Sequence, residues 1–189
     1  MRAIYSLAFS LLLLLFSCNQ DNIPKPSGYF RIDLPEKKFQ LYENDCPFTF
    51  EYPVYAKTTI SDQGNAQPCW LNLEFPDFKA RIHLSYIKIS GDINPVIEEC
   101  RTLVYKHDIK ADAINEIPYI DSLNKVYGTL YEIKGNAASS IQFYVTDSIK
   151  NLVRGALYFD VKPNKDSLAP VIDFVEQDIT HIVESLRWK

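Results

Sequence analysis

Between Ala137 and Phe159 apolar residues alternate with others on either side of one short polar stretch, and this pattern leaves little choice of structure. Side chains alternate faces along a β-strand. Ile141, Phe143 and Val145 therefore share one face of a first strand, and Val153, Leu157 and Phe159 share one face of a second. Asp147 to Asn151 is polar apart from Ile149 and suits a hairpin loop. Pairing Thr146 with Leu152 sets Gly155 opposite Phe143 and Arg154 opposite Tyr144. A strand glycine across from a large ring signals close cross-strand packing. The hairpin is scaffold and holds no catalytic motif.

The rest of the chain supplies partners for that hairpin. Phe48–Tyr52, stopped by Pro53, Cys69–Phe75, stopped by Pro76, and Ala80–Ile87 alternate as strands. The last of these sets Ile82, Leu84 and Tyr86 inward and Arg81, His83 and Ser85 outward. Asn94-Pro95 reads as a helix start with Asn94 as the cap, followed by Ile97, Cys100, Leu103 and Val104 at helical spacing. A short helical turn near Ala111–Ile117 is broken by Pro118, and Val126–Ile133 is a strand turned by Lys134-Gly135-Asn136. Leu168, Ile172, Val175, Ile179, Ile182 and Leu186 form one helical stripe. Asp166 or Ser167 caps that helix, Pro170 lies in its first turn, and Asp173, Glu176, Gln177, Asp178 and Glu184 face out. Short connections favour antiparallel pairing. The expected class is α+β: a mainly antiparallel twisted sheet of about six strands with two long helices packed on it, in the order βββα-βββα.

Residues 1–17 read as a targeting segment, with Arg2 as a positive start and Leu7–Phe16 as an apolar run of about ten residues. A bilayer-spanning helix takes roughly twenty. Leu15-Phe16-Ser17-Cys18 looks like a bacterial lipobox, in which the Cys18 thiol takes a diacylglyceryl group, cleavage follows and the new amino terminus is acylated. Acyl chains bury about 0.8 kcal/mol per CH2, enough together for stable anchoring. Residues 18–28 are then the lipidated cysteine and a polar tether with two prolines. Residues 29–189 form a single domain, opened by an extended arm carrying Tyr29, Phe30, Ile32 and Leu34. The compartment beyond such a signal permits disulfides. Cys46 and Cys69 both sit at element ends, where a bridge between neighbouring strands can form, and are the candidate pair. Cys100, inside an apolar helical face, reads as a buried free thiol.

No chemistry announces itself. The formal charge of −4 comes without a basic block, which argues against nucleic acid as partner. There is no G-x-S-x-G, H-E-x-x-H, P-loop or G-x-G-x-x-G, and no Cys/His spacing of a zinc site, so neither cofactor nor metal is expected. His83 and Ser85, two apart on a strand, place their side chains about 7 Å apart, beyond direct proton transfer. A polar outer face built from Arg81, His83 and Ser85 is the plainer reading. His107, after Tyr105-Lys106, stands at a helix C-terminus, where a cation meets the dipole favourably. His181 lies off the apolar stripe and reads as solvated, and Arg154 with Tyr144 and Gln142 forms a strand-surface cluster or lines a polar pocket.

Several segments together resemble the gliding motility lipoprotein GldD family of Bacteroidetes. They are Gly28-Tyr29-Phe30-Arg31-Ile32-Asp33-Leu34-Pro35, Cys46-Pro47-Phe48 with Phe50-Glu51-Tyr52-Pro53, and Cys69-Trp70-Leu71-Asn72. Ile82-His83-Leu84-Ser85-Tyr86, Tyr105-Lys106-His107 with Lys110-Ala111-Asp112-Ala113-Ile114, Ser139-Ser140-Ile141-Gln142-Phe143 and Arg154-Gly155-Ala156-Leu157-Tyr158-Phe159 complete the set. The resemblance spans the mature chain. It implies an envelope protein held to a membrane through lipid on Cys18, its domain in the periplasm. It also implies a need for it in gliding, a motility driven by the envelope machinery of type IX secretion, whose proteins would be the partners. It implies no catalytic residue. The expected role is a non-enzymatic component that assembles or stabilises that machinery. The competing expectation is an envelope hydrolase or ligand-binding lipoprotein using the polar sheet face.

Overall fold

The computed structural model describes residues 32–61, 64 and 67–189. The signal segment, Cys18, the tether and residues 29–31 of the arm lie outside the described residues. The body is Asp33–Lys189. Its strands are β1 (Phe39–Tyr42), β2 (Phe48–Pro53), β3 (Lys57–Ile60), β4 (Leu71–Phe75) and β5 (Ala80–Lys88), followed by helix α1 (Asn94–Tyr105). Then come β6 (Ala111–Asp121), β7 (Val126–Gly135), β8 (Ser139–Thr146), β9 (Asn151–Phe159), helix α2 (Lys165–Ser185) and β10 (Arg187–Trp188).

Among the described residues the class is α+β with antiparallel pairing and two α-helices, but the sheet count and the element order differ from expectation. One sheet has seven strands in the order β3-β4-β5-β9-β8-β7-β6, and a second has three in the order β1-β2-β10. Among the described residues five strands, not three, precede α1, and four separate it from α2. The extra strands are short or marginal: β1 and β3 have four residues each and β10 has two. The largest departure is β6, where a helical turn was expected. Ala, Asp and Glu favour a helix over a strand locally, yet Ala111–Asp121 pairs with β7 along nearly its whole length. Pro118 sits opposite Thr129 in that ladder and is tolerated because β6 is an edge strand, where proline costs no second neighbour a bond.

The central hairpin has the expected register. Thr146 pairs with Leu152, Tyr144 with Arg154 and Phe143 with Gly155. A Cβ on Gly155 would run into the Phe143 ring, so the glycine is required by the ring's position. The register carries outward into an in-line row, Leu73–Ile82–Leu157–Ile141, across β4, β5, β9 and β8. All four are at most 1% exposed. Helix α2, with Val175, Ile179 and Ile182 buried, packs against β8 of the large sheet and β2 of the small one. Helix α1 covers the opposite face, Cys100 packing with Ile89 and Leu152, and Val104 with Tyr131 and Ile133.

The helix starts are not those expected. Asn94 is the first residue of α1, and Asp92 Oδ1 accepts from its backbone N–H at 3.0 Å. Asn164 caps α2, its side chain accepting from Ser167 N at 3.2 Å. An amide one turn before Ser167 reaches the orphan N–H that Asp166 and Ser167, already inside the helix, cannot. Pro170 lies inside α2, beyond its first turn.

Candidate functional site

Two polar clusters that look separate in the sequence share one sheet face. Ser85 pairs with Arg154, His83 with Ala156 and Arg81 with Tyr158 across β5 and β9, while β8 sets Gln142 beside Ala156 and Tyr144 beside Arg154. Several of the side chains pair with one another, while the buried Gln142 Nε2 makes no hydrogen bond. His83 Nδ1 lies 2.6 Å from Oδ1 of buried Asn72, and the Tyr158 ring meets the His83 ring edge-on at 5.5 Å. Arg81 Nε is 2.7 Å from Glu74 Oε1, and Arg154 Nη2 donates to Gln142 Oε1 at 2.5 Å. His107 stands just past the C-terminus of α1, its backbone N–H donating to the Val104 carbonyl at 3.0 Å. Burial, and then the nearby Arg154 charge, hold its pKa below the usual histidine value. Burial pushes the Cys100 thiol up to about 11, so it is a packing group rather than a nucleophile.

A second constellation escapes the sequence reading. Asp178, expected on the outer face of α2, is fully buried. The reason is that α2 is covered twice, by the sheets on one side and by the arm on the other. Lys37 Nζ lies 2.6 Å from Asp178 Oδ1 and donates to the Phe174 carbonyl at 2.7 Å. The Tyr55 hydroxyl is 2.7 and 2.8 Å from the two Asp178 oxygens. The Phe174 ring lies under the ammonium, 3.4 Å from Nζ to its centroid. Burial raises the Asp178 carboxyl against the opposing pull of Lys37 and Tyr55, and burial lowers Lys37. Burial, with Asp178 beside it, also raises Tyr55. The one sequence signal was Val171 and Phe174, a second apolar row that Asp178 continues at helical spacing.

His181, expected in solvent, belongs to the same seam. Its ring stacks on Phe39 at 3.6 Å, and Nε2 is 2.7 Å from Glu51 Oε2. Glu51 N donates to Ser185 Oγ at 2.9 Å, and Val54 N to Lys38 O at 2.9 Å. From Lys37 to Tyr42 the arm is therefore fixed to α2 and β2 together. Beside it, Cys46 and Cys69 are joined, with Cα atoms 5.6 Å apart. The bridge ties the β1–β2 loop to the start of β4, and so the small sheet to the large one.

A model of the gliding motility lipoprotein GldD family matches residues 19–188. The chain belongs to that family. As a GldD-family protein it is a gliding motility lipoprotein, and a lipoprotein is held to a membrane of the cell envelope. No curated protein matches the chain. Among solved structures, the GldD-family fold is similar to the solution structure of cyanobacterial PsbP (CyanoP) from Synechocystis sp. PCC 6803. The two are 12% identical, the match covers 87% of this chain and 100% of that one, and the TM-score is 0.51. At that identity the likeness concerns the fold alone.

Four concavities in this GldD-family body, the largest of them about 360 Å³, are lined by residues other than the Arg81/His83/Ser85 and Arg154 face. Among the described residues no group of three or more His, Cys, Asp or Glu is placed to hold a metal ion.

Proposed function

We propose that this GldD-family lipoprotein works by binding and position, without turning over a substrate. It is a lipid-anchored component that assembles or stabilises the gliding machinery and its associated type IX secretion apparatus. In this reading residues 1–17 are removed, Cys18 carries the lipid and its palmitate-class acyl chain, residues 19–28 are the tether and residues 29–189 are one periplasmic domain with an arm. A family match that begins at residue 19 supports that division.

The observation that carries the reading is the arm clamp. A buried ion pair with only modest net benefit to stability is well suited to fixing one arrangement over others. Here Lys37 and Asp178 spend it where the chain arriving from the anchor meets the body. The polar sheet face supports the same reading, since its histidine and arginines lie against neighbouring side chains.

The test measures gliding and protein abundance together in the native host. Cys18→Ala should leave unprocessed precursor and abolish incorporation of labelled fatty acid. His83→Ala, Ser85→Ala and Arg154→Ala should impair gliding only as far as they lower abundance. A His83→Ala or Ser85→Ala protein at normal level in cells that cannot glide would overturn the reading.

A further inference from the structure

The loops of the β6–β7 and β8–β9 hairpins project from the same end of the seven-stranded sheet. Asp121 pairs with Val126 at the root of the first loop and Thr146 with Leu152 at the root of the second, while Tyr127 pairs with Thr146 between them. The loops are chemically alike. The first reads Asp121-Ser122-Leu123-Asn124-Lys125 and the second Asp147-Ser148-Ile149-Lys150. In each the aspartate turns inward. Asp121 Oδ1 accepts from Asn124 N at 3.0 Å, and Asp147 Oδ1 accepts from the backbone N–H groups of Ile149, Lys150 and Asn151 at 2.8 to 3.0 Å. Outward, each loop presents one aliphatic side chain and one ammonium.

Leu123 is 91% exposed and Ile149 70%, and Ile120 is exposed beside them at the end of β6. Single apolar side chains on a surface are ordinary. These three are grouped, and turn chemistry asks for none of them, since tight loops favour Gly, Asn, Asp and Ser. Lys88, at the end of β5, pairs with Asn151 at the root of the second loop and so joins Lys125 and Lys150 at this end of the sheet. All three lysines are exposed, and none makes an ion pair among the described residues. Lys37, Lys38, Lys134 and Lys165 elsewhere on the body all do. Trp188 Nε1 donates to the Lys125 carbonyl at 3.0 Å, which sets an indole against the first loop.

Aliphatic tips among unpaired ammonium groups suit a bilayer surface that carries anionic headgroups, where apolar side chains enter and lysines meet phosphates. A lipoprotein is held to a membrane, so such a surface is always near. Residues 19–31 can span about 43 Å, whereas β6, of 11 residues, is about 36 Å long. Anchor and tips can therefore share one bilayer. We propose that the two tips are a second membrane contact, with Ile120, Leu123 and Ile149 in the headgroup region and Lys88, Lys125 and Lys150 on anionic lipid. This rests on the reading that puts lipid on Cys18, which supplies the first contact. Two contacts give the domain one orientation on the membrane.

The test uses the protein purified from its native membrane and reconstituted in vesicles of phosphatidylcholine and phosphatidylglycerol, part of the phosphatidylcholine carrying a nitroxide near its headgroup. A fluorophore is attached at Leu123→Cys, at Ile149→Cys and, as control, at Ile109→Cys. Ile109 is 90% exposed but precedes β6, at the opposite end of the sheet. Nitroxide quenching at 123 and 149 should exceed that at 109 by about threefold or more, as expected of side chains seated in the interface. Vesicles without phosphatidylglycerol, or Lys88→Gln with Lys125→Gln and Lys150→Gln, should cut it about twofold or more. Leu123→Asp should reduce quenching at 149 at unchanged melting temperature, because the replaced side chain stands in solvent. Vesicles that carry the protein on flotation but quench 123 and 149 no more than 109 would overturn the proposal alone. Quenching indifferent to phosphatidylglycerol would overturn the part given to the lysines. A protein that does not float with vesicles would overturn the Cys18 reading as well.

Discussion

Lys37 and Asp178 are not equivalent members of their ion pair. Lys37 is 24% exposed at its side chain and can turn its ammonium to water, whereas the carboxylate cannot follow. Removing the lysine therefore costs more than removing the acid. Lys37→Met should destabilise the body by about 3 kcal/mol, the cost of an uncompensated buried charge. Asp178→Asn should cost less, and Lys37→Met with Asp178→Asn should recover much of the loss. The pH dependence follows from the direction of the Asp178 shift. A carboxyl raised in the folded state holds its proton there at a pH where the unfolded chain has released it. Its stabilising contribution is thus full below the ordinary aspartate value and is lost as pH rises through the folded one. Without Lys37 the folded value climbs further, so the melting temperature of Lys37→Met should fall more steeply than that of the unaltered protein as pH rises above the ordinary aspartate value. Parallel slopes would show that Lys37 carries little of the charge compensation. None of this was legible in the sequence. An aspartate at helical spacing looks solvated until something covers it, and what covers it lies 141 positions away.

At the level of elements, the β8–β9 hairpin was legible to the residue because both strands lie inside the seven-stranded sheet and bury one face completely, so a slip of one residue would turn that face outward. Its tightest point is Gly155 under Phe143. Gly155→Ala should cost about 1–3 kcal/mol by overpacking, and Phe143→Leu in the same chain should restore part of it, both read from urea unfolding midpoints. Equal losses with and without the Phe143 change would mean that the ring is not what the new methyl meets. Strand β6 was illegible for the opposite reason. It is an edge whose residues are mostly exposed, so no burial pattern marks it, and only pairing with β7 overrides its helical composition. The same exposure explains why the register shifts between Ala111 and Ala113 without disturbing the core.

Over the whole molecule, the class and the two helices could be read from periodicity, whereas the three-stranded sheet could not. Strand β2 is flanked by β1 and by a two-residue β10 from the far end of the described chain, and so short an element carries no pattern. The polar face was named residue by residue in the sequence, but only the β5–β9 register shows that it is one surface. The two sheets are joined covalently through Cys46 and Cys69, 23 positions apart. Chain-entropy arguments assign such a loop about 3 kcal/mol. Replacing both cysteines by serine should lower stability by about that amount in denaturant titrations, while Cys100, buried and with a thiol raised to about 11, should resist alkylation until the protein unfolds.

The position of β2 also sets a timetable. One of its neighbours follows the arm closely, but the other forms only when residues 187–188 arrive, and Glu51 waits for a serine 134 positions downstream. A chain made amino end first must therefore keep β2 half-paired, one hydrogen-bonding edge open, until nearly all of it has emerged. The cysteines at 46 and 69 both emerge early, so their bridge can close before α2 exists and hold β2 beside β4 until its last partner comes through.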